Sequence, residues 1–348
     1  MPEPAATAPP VAASTAPAVL TVRGPGLSTI TDLGRPAGSS IGQMTGGALD
    51  QYSAAAANIL VGNAATAPLL EVTGLDFSAT IDRDLLVSIT GATADVTVGG
   101  HPQPQWEPVA WPAGRDLRIG RIRAGFRIYI GLHGHVDTLT LLGSCAPDTV
   151  LGFGTSLTVG DQITVHGRTP AFDNPWFGAP VFRMGARPDG AADAAPARIP
   201  VTDGPDQTEF GTTATRLFTQ DFVVGEASNH IGLRLASADS APLPRRQTTT
   251  EMLSRGVPIG AVEVPAGGEL LVLHRGRGVT AGYPVLAVAT RTGLARLGQV
   301  RPGDTVRFVH TTVDEAVRAH QHRCAALQRL SARVAAAFEA LPIPTHFT

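Results

Sequence analysis

Asp32 and Arg35 stand close together in Thr-Asp-Leu-Gly-Arg-Pro, residues 31–36, a spacing that lets a carboxylate and a guanidinium meet across one polar loop. Arg35 could hold an anionic ligand, or the Asp32 to Arg35 pair could simply lock the loop. Glu71 and Glu263 pose a related choice. Each lies inside a strand pattern among apolar neighbours, where an ionised carboxylate needs an arginine or a ligand amide beside it. A site role and a buried ion pair are equally compatible with that setting. Thr280, Gly282 and Tyr283, in Val-Thr-Ala-Gly-Tyr-Pro, would offer a hydroxyl, backbone amides and a phenol to a small ligand, or form a plain turn before Pro284.

His133, His135 and Asp137 form a His-Gly-His-Val-Asp run. Alternate strand positions would put both imidazoles on one face, but the run supplies at most two histidines and one carboxylate. Hydrogen-bonded strand-end histidines are the expectation, and no metal site is assigned. No Ser-His-Asp or Cys-His arrangement has a local signature, so the catalytic residues are left unassigned. The chain contains no lysine, all 27 of its basic residues being arginine. A phosphate-loop lysine, a Schiff base and a biotinyl-lysine are therefore excluded on this chain.

The 348 residues suffice for two domains. A net charge of -2 with 16% charged residues argues against nucleic acid or a membrane surface as main partner. With 39 glycines and 28 prolines and no collagen-like period, the expectation is a mainly β fold of short strands and tight turns. Cys145 and Cys324 lie far apart and read as free thiols in a reducing, cytoplasmic setting. The first 18 residues, broken by prolines and lacking a basic start, read as a disordered tail and not as a signal peptide. No run approaches the ~18 to 20 apolar residues that span a bilayer.

Positioning these residues requires a definite set of elements. Asp50 as N-cap and Gly62-Asn63 as a stop predict a helix over Asp50 to Val61. Strands are expected over Leu69 to Ile81 and Leu85 to Val98, with bends at Gly74 and Gly91, and an edge strand or loop over His101 to Trp111. Leu117 to Leu132 reads as a hairpin turning near Ala124 and Gly125, with Arg121, Arg123 and Arg127 on its wetter face. Gly160-Asp161 and Gly303-Asp304 sit in similar strand contexts, which suggests two related barrels ending alike.

The expected organisation is a tail over 1–18, a first barrel over 19–168, a linker or flap over 169–197, a second barrel over 198–311 and a C-terminal helix over 312–341. Val313, Val317, Cys324, Leu327, Val334, Phe338 and Leu341 fall near one face of that helix. Packing against its own barrel is the expectation, a partner subunit being the other choice.

The order Gly-Pro-Gly-Leu, Thr-Asp-Leu-Gly-Arg-Pro, a glycine pair, Ala-Leu-Asp and Ala-Asn-Ile-Leu-Val-Gly-Asn over residues 24–63 resembles the opening of one family, that of the 5-oxoprolinase C subunit, also called allophanate hydrolase subunit 2. The same module ends the carboxyltransferase region of urea carboxylase. Ser-Asn-His-Ile-Gly-Leu-Arg-Leu, residues 228–235, and Val-Thr-Ala-Gly-Tyr-Pro extend the resemblance over roughly residues 20–310. It implies tandem cyclophilin-like β-barrels. Against the family pattern, His230 replaces arginine, Gly276 an aspartate, Gly-His-Val-Asp (134–137) replaces Gly-Gly-Ile-Asp, and the segment 143–148, with Cys145, replaces Gly-Ser-Arg-Ser-Thr-Tyr.

What the resemblance implies is one component of an ATP-dependent 5-oxoprolinase that, with the A and B subunits, opens 5-oxo-L-proline to L-glutamate. ATP would be shared with the partner subunits. Ser228 and Arg234 then become a binding hydroxyl and guanidinium, with Arg35 a second anion contact and Glu71, Glu263 and Tyr283 orienting groups. Without the resemblance, Ser228 and Arg234 are an exposed strand face. The alternatives are a carboxyltransferase-type module accepting biotin carried by another protein, and a regulatory protein that binds a partner resembling the B subunit.

Overall fold

The structure, a computed structural model, describes residues 16–74, 76–154, 156–167, 183–188, 195–248, 251–341, 343 and 345. Most of the expected tail and of the stretch 169–197 lies outside the described residues.

Alternating apolar positions from Ala18 onward build a strongly curled sheet of ten strands. Its spine is the antiparallel pair Leu85–Val98 and Asp116–Leu132, flanked by Leu69–Thr73, Phe77–Ile81, Ala18–Gly24 and Gln162–His166. Leu20, Ile89, Trp111, Ile119 and Ile130 fill its concave side. A bridge between Thr29 and Ser156 draws the edges toward each other. The short strands His101–Pro102 and Pro108–Trp111 pair only with Leu85–Val98, in keeping with their prolines.

The hairpin expected within Leu117 to Leu132 does not form. Asp116–Leu132 is one continuous strand, and Gly125, at φ +81°, makes a bulge in it where the register shifts against Gly91 and Thr93. A glycine with positive φ signals a turn and a bulge equally well in sequence. The bulge also turns Arg127 inward: Arg121 and Arg123 stay exposed, whereas Arg127 is buried.

Seven strands close the second unit into a barrel: Ala197–Asp203, Val285–Ala289, Ala261–Glu263, Leu270–Leu273, Gly232–Ser237, Phe222–Val224 and Thr305–His310. The first and last pair in parallel. Phe222 and Phe308 meet edge to face in its interior, with centroids 5.5 Å apart. The two Gly-Asp turns match in detail. Gly160 N–H donates to the Val22 carbonyl and Val22 N–H to that of Asp161; Gly303 and Val224 N–H groups do the same to Val224 and Asp304. Each is a capped turn leading into its unit's last long strand, since Asp161 and Asp304 accept from the backbone three residues earlier.

The predicted first helix spans Gln51–Leu60, with the Asp50 carboxylate accepting the Ser53 N–H at 3.1 Å. The C-terminal helix, Val313–Ala340, begins in a capping box between Thr312 and Glu315. It packs at home, on the first helix, through Leu327, Leu330, Val334 and Phe338. The expected stripe is wrong in its first half and at its last residue: Val313 and Val317 are 65% and 48% exposed, Cys324 is exposed too, and so is Leu341, just past the helix. Packing begins only at Arg323, because the first helix is too short to meet the earlier turns. Nor do His133 and His135 share a face. Gly134, at φ +121°, breaks the strand between them, so His133 is buried against the Val61 carbonyl while His135 faces out.

Candidate functional site

The loop from Asp32 to Gly47 is folded onto itself at two glycines. A β-carbon on Gly47 would lie 2.5 Å from Gly34 N, and one on Gly34 would lie 2.5 Å from the Gly46 carbonyl. Asp32 caps the turn by accepting Gly34 N–H at 2.7 Å, and also accepts Ser144 Oγ at 2.6 Å and Cys145 N–H at 2.8 Å. Arg35 is buried; its Nε donates to the Leu141 carbonyl and its Nη2 to that of Ala146, with Asp148 at 3.9 Å from Nη1. No Asp32 to Arg35 ion pair forms among the described residues. Both instead clamp the segment 141–148, and Arg35 Nη1 is buried without a hydrogen-bond partner. Burial and the neighbouring Asp32 push the Cys145 thiol up, leaving it neutral.

The second unit docks on this loop. Arg275 Nε donates to the Gly46 carbonyl at 2.8 Å, its Nη2 to Leu33 at 2.8 Å, and Gly46 N–H returns a bond to the Arg275 carbonyl. Burial lowers its pKa to about 10, and it stays charged at neutral pH. His274 beside it accepts the Arg275 N–H on Nδ1, so its Nε2 carries the proton donated to the Leu294 carbonyl at 3.1 Å. Burial pushes this imidazole down to about 3.

Behind the loop, Glu71, Tyr129, Asp50, Gln299 and Arg127 form one polar chain across the seam. Tyr129 stands opposite Glu71 on the paired strand, and its hydroxyl accepts Asp50 N–H at 3.0 Å. Gln299 Nε2 donates to Asp50 Oδ2 at 2.9 Å and to the Arg127 carbonyl, while its Oε1 accepts the N–H groups of Phe126 and Arg127. Arg127 Nη1 donates to the Gly298 carbonyl at 2.6 Å. Glu71 Oε1 lies 3.8 Å from Arg127 Nε, too long for a hydrogen bond, and both Glu71 Oε2 and Arg127 Nε are buried without a hydrogen-bond partner. Burial raises the Glu71 pKa, against the pull of Arg127, and it also raises that of Tyr129. His230, held near neutral charge by burial and by Arg127, reaches the same region and approaches Thr149 Oγ1 at 3.4 Å. A carboxyl of raised pKa, a phenol and a guanidinium thus converge at the seam. Such a set can bind a small polar molecule through an N–H and an oxygen anion, and can hand a proton to or from it.

The other expected residues lie elsewhere. Ser228 Oγ accepts Arg234 N–H within a turn, and the Arg234 side chain, 48% exposed, pairs with Glu269. These two are the exposed strand face, not part of the seam. Thr280 pairs with Gly256 in a two-stranded ribbon, beside Gly282 and an exposed Tyr283. Glu263 faces the outer side of the barrel, across from Leu271 and Val285. It is fully buried, neither carboxylate oxygen has a partner, and burial raises it to about 7. No ion pair holds it, which removes one of the two readings open from sequence. Sequence reasoning does not single out Arg127, Tyr129, Gln299, His274 or Arg275 as site residues. Tyr129 alternates with Arg127 in a strand pattern, and a phenol at a core position is a usable signal.

A curled sheet and a closed barrel joined by a polar seam define a tandem β-barrel module with its candidate site between the units. The family model described as carboxyltransferase domain, subdomain A and B, matches residues 41–310, and the chain belongs to that family. The C subunit of Escherichia coli (strain K12) 5-oxoprolinase is 28% identical over 80% of this chain and 86% of its own length. Saccharomyces cerevisiae urea amidolyase is 25% identical over 73% of this chain, a match that spans 14% of the yeast protein. Among solved structures, TTHA0988 superposes with a TM-score of 0.73 at 31% identity, over 89% of this chain and 60% of that one. K. lactis urea amidolyase superposes with a TM-score of 0.76 over 91% of this chain and 20% of its own; at 23% identity this shows the fold. Among the described residues no helix is long and apolar enough to cross a membrane.

Proposed function

We propose that this chain is the C subunit of a cytoplasmic, ATP-dependent 5-oxoprolinase, acting with the A and B subunits to open 5-oxo-L-proline to L-glutamate. The observation that carries the reading is that Glu71 Oε2 and Arg127 Nε are both buried without a hydrogen-bond partner, in a pair whose Oε1 to Nε distance is 3.8 Å. A cyclic amide bearing a carboxylate presents one N–H donor and one anion, which answers that pair. Glu71 would accept the lactam N–H and Arg127 would hold the carboxylate.

Ring opening needs a proton delivered to the departing nitrogen; Glu71, whose pKa burial raises, would supply it, with Tyr129 as a second donor. ATP hydrolysis, as co-substrate chemistry, would supply the drive that a stable amide requires. The similarity to the Escherichia coli protein, which extends over most of both chains, supports the same reading.

A carboxyltransferase-type reaction, with biotin brought in by another protein, is the second reading, favoured by the family match and the similarity to urea amidolyase. The test is 5-oxoproline-dependent ATP hydrolysis and glutamate release, with the chain alone and then mixed with candidate A and B subunits. Turnover in the mixture is expected. A stable complex with no turnover, but with carboxyl transfer from biotin, would move the assignment to the second reading.

A further inference from the structure

A cavity of about 410 Å³ opens between the two units, and five arginines line it: Arg123, Arg198, Arg296, Arg301 and Arg323. Asp50 and Asp304 are the carboxylates in the lining; Asp50 is committed elsewhere, and Asp304 lies 3.9 Å from Arg301 Nε. Asp50 caps the first helix and takes the Gln299 amide, and Asp304 accepts Arg301 N–H.

Two arginines decide what the cavity wants. Arg123 already pairs with Asp95 at 2.6 Å, but neither Arg198 nor Arg296 has a carboxylate within ion-pair distance among the described residues. Arg296 Nη1 donates to the Arg198 carbonyl at 2.7 Å, which fixes the two residues on one rim. Arg301 Nη2 is anchored on the Gly125 carbonyl at 2.9 Å, and its Nε makes no hydrogen bond but lies 3.9 Å from Asp304, which leaves Arg198 and Arg296 as cations of the lining without a carboxylate nearby among the described residues. Clustered like charges repel, so a chain of net charge -2 that concentrates arginines around one cavity has built a place for an anion.

Size narrows the class. The volume falls within the roughly 300 to 1,000 Å³ of small-molecule pockets, and several arginines around one cavity suit several charged groups in a row rather than one. Tyr52, Ala295 and Val300 add an apolar wall. We infer that this cavity binds a small molecule bearing a chain of phosphates. The inference deepens the proposed oxoprolinase reading by giving a phosphate-bearing co-substrate a seat on this chain, although the lining itself does not depend on that reading.

The test is calorimetric titration of the intact chain, at low ionic strength, with inorganic tripolyphosphate, ATP, adenosine and citrate. Tripolyphosphate and ATP are expected to bind and adenosine is not. The double variant Arg198→Ala/Arg296→Ala should bind about tenfold or more weakly. Arg318→Ala, which removes an exposed charge on the C-terminal helix, should bind as the parent does. Thermal melts of both variants check that they fold. ATP binding tighter than tripolyphosphate assigns the ligand to the nucleotides; equal affinity assigns recognition to the phosphate chain alone. No binding of either, equal binding of citrate, or equal weakening by Arg318→Ala overturns the inference. Because no turnover is measured, failure here leaves the oxoprolinase assay to be judged by itself, and the reverse also holds.

Discussion

His230 lies on the bare backbone of Gly276: a β-carbon built on Gly276 would fall 2.3 Å from His230 Cδ2, and Gly276 N–H donates to the His230 carbonyl at 2.9 Å. The resemblance places an arginine and an aspartate at these two positions, a pair of opposite charge. Here both have changed together, and the imidazole fills the space an aspartate would need. Gly276→Asp alone should therefore destabilise the chain by about 2 kcal/mol, and adding His230→Arg should recover part of that loss. Urea denaturation of the two single variants and the double variant checks this. Losses that simply add would show that the two positions changed independently.

Arg275 holds the two units together through carbonyls at Leu33 and Gly46. Arg275→Met keeps the apolar stem but leaves both carbonyls without their donor. A loss of roughly 3 kcal/mol is expected in chemical denaturation, with the transition losing its single step if the units then melt separately. An unchanged midpoint would mean that the docked arrangement does not persist in solution.

Glu263 makes a pH-dependent contribution whose sign follows from its raised pKa of about 7. Between pH 4.5 and that value the folded chain retains a proton that the unfolded chain releases, so stability falls as pH rises through this window. The loss amounts to roughly 3 kcal/mol at neutral pH. In Glu263→Gln this decline should disappear, and the variant should be more stable than the parent at about pH 8. Parallel stability–pH curves for the two proteins would show that Glu263 finds a partner.

Glu71→Gln and Tyr129→Phe separate chemistry from support. In the proposed 5-oxoprolinase assembly Glu71→Gln should lower kcat/KM by about 100-fold and remove the limb of the pH profile that reports a carboxyl of raised pKa. Tyr129→Phe should shift that limb, since Tyr129 stands opposite Glu71 on the paired strand, and leave Asp50 N–H without its acceptor. A Glu71→Gln enzyme with parental rates would remove the proton-transfer role.

The C-terminal helix offers a test of where packing begins. Phe338→Ala, at a buried position beneath Gly62, should cost about 3 to 5 kcal/mol. Val317→Asp, on an exposed turn, should stay within about 0.5 kcal/mol. Thermal or urea melts of both variants decide it, and a large loss in Val317→Asp would mean that the first turns are covered in solution.

What could be read from the residues in order was whatever depends on neighbours in the chain. The Asp50 cap and the Gly62 stop set the first helix to within a residue at each end, because capping is a contact of three or four residues. The Gly-Asp turns were visible twice for the same reason, and so was the mainly β character with its long C-terminal helix. The absence of lysine determined without any structure that no lysine chemistry resides here.

The seam depended on the tertiary structure. Arg127 looked like a wet strand residue until a bulge at Gly125 and the docking of Gln299 and Gly298, over 170 positions later, turned it inward. Arg35 and Asp32 looked like a pair until the segment 141–148 took both. Glu71 and Glu263 were indistinguishable in their strand contexts, yet one meets Arg127 and Tyr129 on the neighbouring strand and, through them, the seam, while both carboxylate oxygens of the other lack a hydrogen-bond partner. Local pattern sets which way a side chain leaves its strand. What waits for it there is decided by how the two units dock.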